Sequence, residues 1–286
     1  MSYSRLAARL AAAALITLTT AACQRDEAER VRLRFEYSEG DTLRYAYHSE
    51  GTVTIPDTAA PGGSTTRDYQ RTMRIEEVAE EVTPRGHYRL AVTYYLPPDT
   101  TSGAPAPAPI TIRLELTPQG KIQSVSGVET AKPLFGDIDF QSYFEQAQPV
   151  FPERPLEVGD SWTQEVRVMT AAAEPVVTSS TYVLESIGEE AGRPIATIAF
   201  DGEIYLPIDH GASASGSSGS SDATRQLAEE RIRVHGRMTF DYERGITRRV
   251  ETTAQATVTK VAIEAGATSR QDLHIAERSE IRLTEP

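Results

Sequence analysis

The sequence contains one cysteine and one tryptophan in 286 residues, and basic side chains are in deficit, with 29 Lys and Arg against 41 Asp and Glu. A single cysteine excludes an intramolecular disulfide framework and any zinc or iron–sulfur site built on several cysteines. The formal net charge of -12 has the opposite sign to the basic surface that nucleic-acid phosphates require. We therefore predict no nucleic-acid partner.

Motifs of catalysis and metal binding are also missing. None of the five histidines stands at a spacing typical of metal ligands, and the chain has no Gly-x-Ser-x-Gly elbow, phosphate-binding loop or dinucleotide fingerprint. Neighbouring acids such as Glu76-Glu77 and Glu229-Glu230 are expected to be solvated surface charge, because no calcium-binding loop is present. We predict no enzyme activity, no metal and no cofactor.

Long hydrophobic runs are absent as well. The apolar run from Leu10 to Leu18 has nine residues, fewer than the roughly 20 that cross a bilayer as a helix. It follows Arg5 and Arg9, and small residues lead from it directly into Cys23. A positive start, a short apolar run and a small-residue cleavage site indicate a signal peptide over residues 1–22.

The residues Thr20-Ala21-Ala22-Cys23 resemble the lipobox of bacterial lipoproteins, with Thr20 where Leu is usual. The resemblance implies cleavage before Cys23, a diacylglyceryl group on its thiol and acylation of the new amine, with palmitate as the expected acyl chain. Several acyl chains anchor a protein far more firmly than one. The alternative is an ordinary secretory signal, in which Cys23 has no lipid.

The residues that follow the cysteine bear on location. In such lipoproteins an Asp directly after the cysteine favours retention in the inner membrane. This chain has Gln24 at that position, so the resemblance implies that the protein is anchored in the outer membrane and faces the periplasm. Residues 23–30 form a short polar tether. Without Arg5 and Arg9 the mature chain has 27 basic against 41 acidic side chains, or -14. Because this charge is repelled by anionic headgroups, we expect the acyl chains to provide the membrane contact.

Apolar and polar residues alternate through most of the chain after residue 30. Val31, Leu33, Phe35 and Tyr37 are typical of this pattern, which indicates half-buried strands of an antiparallel sheet. Residues 117–120 (TPQG) have the composition of a tight turn. We predict a mainly β fold built on one or more long, curved antiparallel sheets.

One segment departs from the alternation. Within residues 128–158, Phe140, Tyr143 and Phe144 have the spacing of a helix face, and Asp139 is a suitable N-cap. We expect this helix to pack on the concave face of the sheet. These three aromatic residues and Trp162 are the candidate ligand-binding residues.

The chain reads as two similar β halves, residues 31–127 and 159–286. Gly40-Asp41 precedes a strand pattern in the first half, and Gly159-Asp160 precedes one in the second. In both halves further strands and a Gly-containing turn follow in the same order. Two interpretations stay open, because an internal duplication and a simple meander of strands both produce this order.

The string Phe151-Pro152 to Trp162, which ends in Val-Gly-Asp-Ser-Trp, resembles a signature of an uncharacterised bacterial lipoprotein family. The resemblance implies a signal, a lipobox and a β-rich body. That family has no established activity, so it supplies no catalytic residues.

Two functions fit these observations. The first is a non-enzymatic periplasmic module, anchored by acyl chains, that binds an apolar ligand or a lipid on the concave sheet. In layout it resembles lipoprotein carriers and lipid-binding half-barrels. The second is a structural or interaction protein that engages an envelope protein through an exposed sheet edge or residues 209–224.

Overall fold

A computed structural model describes residues 29–56, 63–98, 106–131, 138–169, 175–210, 225–264 and 267–284. Within these ranges the chain forms eleven β-strands and one α-helix. The strands are β1 (Thr42–Pro56), β2 (Ser64–Val82), β3 (Tyr88–Tyr95), β4 (Ile110–Leu116), β5 (Ile122–Ser126), β6 (Ser161–Val168), β7 (Val176–Glu190), β8 (Arg193–His210), β9 (Arg225–Asp241), β10 (Ile246–Glu264) and β11 (Ala267–Leu283). The helix, α1 (Phe140–Ala147), lies between β5 and β6.

All eleven strands belong to one antiparallel sheet, in the order β5-β4-β3-β2-β1-β11-β10-β9-β8-β7-β6. The first and last strands pair at its centre, where Tyr45 is opposite Leu283 and Thr54 is opposite His274. β5 and β6 are therefore the two edges. The prediction of a mainly β protein with a long, curved antiparallel sheet and one helix is confirmed.

The sheet has two ends that differ in structure. At one end, here called the base, short turns join β2 to β3, β4 to β5, β7 to β8 and β9 to β10. The opposite end, the rim, is where β1, β8 and β10 reach their last residues. Strands of 15 to 19 residues span roughly 50–60 Å at 3.3 Å per residue. The sheet therefore extends well beyond a core that lies near the base.

The main core draws on both halves of the chain. Side chains that are fully buried come from the first half at Ile112 and from the second half at Leu184, Ile198 and Phe240. They share one face of the sheet with α1, and we call this the concave face. Because both halves contribute to one cluster, they do not fold as two separate cores.

Residues 29–41 form an N-terminal strap that crosses the base. Val31 pairs with Leu156 through two hydrogen bonds of 2.9 and 2.8 Å. The Phe35 N–H then donates to the Pro118 carbonyl at 2.7 Å, and the Glu36 N–H donates to the Gly245 carbonyl at 3.1 Å. The strap thus joins the β4–β5 turn of one half to the β9–β10 turn of the other.

Two turn glycines are required by this strap. Gly120 and Gly245 adopt φ angles of +94° and +65°, which strain any residue with a side chain. A Cβ on Gly120 would also collide with the Phe35 ring, and one on Gly245 would collide with the Glu36 backbone. Both turns therefore need glycine for conformation and for close approach.

The helix begins where the sequence predicts. The Asp139 carboxylate caps it by accepting from the Ser142 N–H at 3.3 Å and from the Ser142 hydroxyl at 2.5 Å. The helix has eight residues and is shorter than the segment that departs from alternation. Gln146 fastens it to β8: its side chain accepts from the Tyr205 N–H at 2.8 Å and donates to the Tyr205 carbonyl at 3.1 Å.

The two halves start with the same hydrogen-bonded motif. The Gly40 N–H donates to the Ala79 carbonyl of β2, and the Gly159 N–H donates to the Leu184 carbonyl of β7, both at 2.8 Å. The carboxylates of Asp41 and Asp160 accept from backbone N–H groups three residues earlier, at 2.7 and 3.0 Å. Both aspartates therefore cap turn amides. A β-bulge follows in each half, between β2 and β3 and between β7 and β8.

Candidate functional site

The concave face carries a partly buried carboxylate, that of Glu277, above the core. The Tyr47 hydroxyl donates to Glu277 Oε1 at 2.9 Å, and the Tyr69 hydroxyl donates to Glu277 Oε2 at 2.5 Å. Two phenols thus hold one carboxylate by charge-assisted hydrogen bonds. The contact joins three strands, because Tyr47 belongs to β1, Tyr69 to β2 and Glu277 to β11.

A strand glycine makes this arrangement possible. Gly51 lies in register with Tyr69 on one side and with Glu277 on the other. A Cβ at this position would collide with the Tyr69 ring and with the Ala276 carbonyl. The ring therefore covers the bare glycine backbone, as aromatic residues do beside glycine in strongly coiled sheets.

The helix and a fourth strand add two more groups to this region. Burial, with Glu230 and Glu277 nearby, raises the pKa of Tyr143. Burial, followed by repulsion from Glu277, raises the pKa of Glu230. Burial is also the main cause that raises the pKa of Tyr47 to about 12. We call Tyr47, Tyr69, Tyr143, Glu230 and Glu277 the tyrosine–glutamate cluster.

One cation lies beside the cluster. The guanidinium of Arg71 stands 4.9 Å from the centre of the Tyr69 ring, a distance typical of a cation–π contact. Burial and Glu277 raise the pKa of Tyr69, and the charge of Arg71 partly opposes that rise. Two carboxyl groups, those of Glu230 and Glu277, lie in the cluster beside this one arginine.

An apolar row crosses the concave face between the level of Glu277, on its base side, and the level of Glu230, on its rim side. Five residues pair in register from β1 through β11, β10 and β9 to β8: Val53, Ile275, Ala256, Ile232 and Ile204. The three with intermediate exposure are Val53, Ile232 and Ile275. The core clusters of the described residues include none of the five. This row is a concave apolar surface next to fixed polar groups.

The four predicted site residues are distributed between the core and the cluster. Phe140 is buried in the core and Phe144 packs against it. Trp162 stacks on Tyr182 with ring centres 5.3 Å apart, and its indole N–H is buried without a hydrogen-bond partner among the described residues. Tyr143 alone of the four belongs to the cluster. Ligand binding by these residues stays a prediction.

The carboxylates of the concave face were not expected from the sequence. Neighbouring acids were interpreted as solvated, which is wrong for Glu77 and Glu230. Successive residues of a strand face opposite sides, so Glu76 reaches Arg44 on the outside while Glu77 points inward. The phase that Glu230 shares with buried Met238 of β9 is the signal that could have identified it.

Glu77 is the most deeply placed of these acids. Its Oε1 atom is buried and has no hydrogen-bond partner among the described residues. Burial raises the pKa of the carboxyl group, and a hydrogen bond from Tyr37 opposes that rise. Since an uncompensated buried charge is costly, the neutral acid is the form that the fold favours.

Other chemical groups are placed differently. His48 and His235 are exposed on the outer face. Within the described ranges, no three His, Cys, Asp or Glu residues are grouped so as to hold a metal ion. No helix in the part of the chain that the structure describes has both the length and the apolar character to cross a lipid bilayer. Cys23 and residues 211–224 lie outside the described residues.

Removal of the buried acid should change how stability depends on pH. A raised folded pKa stabilises the protein fully below the unfolded pKa of about 4.3, and this contribution is lost as pH rises through the folded value. Glu77→Gln should therefore melt above wild type at pH 8, by about 2–4 °C per kcal/mol gained. The difference should vanish near pH 4, where both proteins are neutral at this position.

Thermal unfolding followed by circular dichroism between pH 4 and 8 tests this prediction. Glu50→Gln, an exposed position on the neighbouring strand, is the matched control and should follow wild type. Parallel pH curves for Glu77→Gln and wild type would show that the buried acid costs the fold nothing.

The sequence matches one family model over part of its length. Residues 129–239 match the model of a family of unknown function (DUF6263), a segment that contains α1 and the Gly159-Asp160 motif. No curated protein matches the sequence.

Among solved structures, the chain is similar to one titled "Asymmetric conductivity of engineered proteins", at 10% identity and a TM-score of 0.26. It is also similar to two mutant porins of Rhodopseudomonas blastica, at 10% and 9% identity and a TM-score of 0.25. Each of the three matches covers 85% of this chain and 100% of the other. Such scores carry no argument about fold or function.

Proposed function

We propose that this protein is a non-enzymatic bacterial lipoprotein that binds an apolar ligand or a lipid on the concave face of its sheet. In this proposal Cys23 carries the acyl anchor, the outer membrane holds the protein, and the β-rich body faces the periplasm. The observation that carries the proposal is the apolar row on the concave face, in which Val53, Ile232 and Ile275 are partly exposed while Ala256 and Ile204 are buried.

The neighbouring cluster limits the ligands that would fit. Glu277 already accepts hydrogen bonds from two tyrosines, and Glu230 adds a second carboxylate on the same face. A fatty-acid carboxylate placed here would meet like charge. An amphiphile with a hydroxyl or ammonium group would instead find acceptor oxygens and tyrosine rings. The ligand class supported best is therefore an apolar body with a neutral or cationic polar end.

A polar substitution in the apolar row should reduce ligand binding. Ile232→Gln keeps a side chain of similar length but places an amide on the concave face, so retention of the copurifying ligand should fall at least fivefold. Native mass spectrometry of detergent-free protein measures the ligand-bound fraction. Arg233→Gln, the next residue of β9 and exposed on the outer face, is the matched control.

Two outcomes would contradict the proposal. One is a wild-type mass with no ligand together with no displacement of an apolar fluorescent dye. The other is an equal loss of ligand in both variants, because the outward-facing residue has no contact with the concave face.

The membrane anchor has support from the position of the strap. Val31, eight residues after Cys23, is fixed to Leu156 at the base, and eight extended residues reach roughly 26 Å. The base would thus lie close to the membrane, with the rim and the apolar row directed away from it.

Metabolic labelling tests the anchor. Cells given an alkyne analogue of palmitate should transfer the label to the wild-type protein, because Cys23 is the lipidated residue. Cys23→Ser should show no label above background. Equal labelling of both proteins would contradict the assignment.

An envelope-protein partner is the second candidate function, and the β6 edge favours it. β6 pairs with β7 on one side and is the last strand of the sheet, so its other side offers backbone groups to a partner strand. Met169 and Val177, beside this edge, are 67% and 54% exposed.

Site-specific crosslinking in cells distinguishes this function. A photoreactive residue in place of Val177 should capture one stoichiometric partner if the edge is an interface. The same residue in place of Arg233, on the outer face of β9, is the control. Capture at neither position, or equal capture at both, would count against a partner at the β6 edge.

A further inference from the structure

A cleft at the base is lined by arginines. Its volume is about 530 Å³, and its charged lining residues are Arg44 of β1, Arg193 of β8 and Arg244 of the β9–β10 turn. Thr42, Leu43, Leu283 and Thr284 complete the lining. A cleft with three guanidinium groups and no lining carboxylate is unexpected in a chain with 41 acidic side chains.

The three arginines differ in their existing partners. Arg44 forms an ion pair of 2.9 Å with Glu76, which belongs to the outer face of β2. Arg193 approaches Asp241 at 4.0 Å. The Arg244 guanidinium has no carboxylate of the described residues within ion-pair distance. Its backbone N–H, by contrast, donates to Asp241 Oδ1 at 3.0 Å.

The nearby carboxylates leave the cleft positive. Asp241 is only 1% exposed and lies behind the arginines, where it holds the turn that carries Arg244. Glu36, in the adjoining cleft of about 510 Å³, pairs with Arg34, and Asp41 caps the Ser38 N–H. Glu36 and Asp41 already have partners, whereas Asp241 Oδ2 accepts no hydrogen bond from the described residues and faces Arg193. Glu76 and Asp241 thus offset two of the three guanidinium charges, and the positive charge of Arg244 remains in the cleft. Glu243, next to Arg244, is exposed to solvent.

We propose that this basal cleft binds a phosphate-bearing anion through Arg44, Arg193 and Arg244. Guanidinium groups present N–H donors in a fork that matches phosphate oxygens. A carboxylate has two oxygens and one charge, whereas a phosphate monoester has three terminal oxygens and a charge of about -1.5 to -2. Three guanidinium groups therefore suit phosphate better. The volume lies within the range of small-molecule sites, about 300–1,000 Å³.

Two sources could supply this phosphate, and soluble probes separate them. Inorganic phosphate represents a free phosphate, and glycerophosphoglycerol represents the headgroup of phosphatidylglycerol without its acyl chains. Isothermal titration calorimetry of the full chain in neutral detergent should detect binding of at least one probe. The diester has two non-bridging oxygens and a single charge, so inorganic phosphate should bind more tightly, which assigns the free anion; tighter binding of the diester would assign the lipid headgroup instead.

Arg244→Gln should weaken that binding at least tenfold, because it removes the guanidinium that forms no ion pair with a carboxylate of the described residues. The backbone bond to Asp241 is retained, so the thermal midpoint should match wild type. Arg233→Gln is the matched control, since it lies on β9 eight residues from Asp241, roughly 26 Å away. It removes the same charge and should keep affinity within twofold.

The outcomes separate this cleft from the concave face. Ile232→Gln should bind the phosphate probe as wild type does, even if it loses the apolar ligand. Binding of neither probe at millimolar concentration would overturn the basal site and leave the proposed function untouched. An equal loss in Arg233→Gln and Arg244→Gln would also overturn it, because the effect would then reflect overall charge.

Discussion

The strap across the base is the constraint on which the rest of the structure depends. The sheet is open, with β5 and β6 as edges, and its two halves face each other around one core. Two backbone hydrogen bonds from neighbouring residues, Phe35 and Glu36, connect a turn of one half to a turn of the other. The Phe35 ring also packs on Phe151 and Phe240, with centres 5.2 and 5.4 Å away. A short segment therefore determines how closely the halves approach.

Closure at the base has consequences along the whole sheet. Because the strap and core fill the lower part, the long strands continue toward the rim with one face outside the packed core. The helix also extends from the core to the concave surface. Its first residue, Phe140, is buried in the core, and Tyr143, one turn later, lies in the tyrosine–glutamate cluster. The concave surface thus combines an apolar row, fixed acceptor oxygens and a wall supplied by the helix.

The positions of the charged side chains do not follow from the acidic composition of the chain. The chain is strongly acidic, yet arginines line one cleft at the base, and carboxylates lie inside the concave face. Period-two alternation explains part of this, since it places Glu77 and Glu230 inward and their neighbours outward. The same alternation applies to the acids of a strand as to its apolar residues.

Local patterns were sufficient for most strands, the helix cap at Asp139, the 117–120 turn and the two Gly-Asp motifs, because each depends on residues close in sequence. The strand predicted from the alternation of residues 31–37 is wrong: these residues form the strap, whose N–H groups bond to turns and to one isolated bridge. The sequence by itself was also sufficient to predict a signal peptide that ends at the single cysteine, Cys23. Only the tertiary structure decided that β1 pairs with β11 and that Tyr47 meets Glu277, 230 residues away. Alternation defines the face of a side chain but not the partner of its strand. That choice depends on chain closure by the strap and on packing around a shared core.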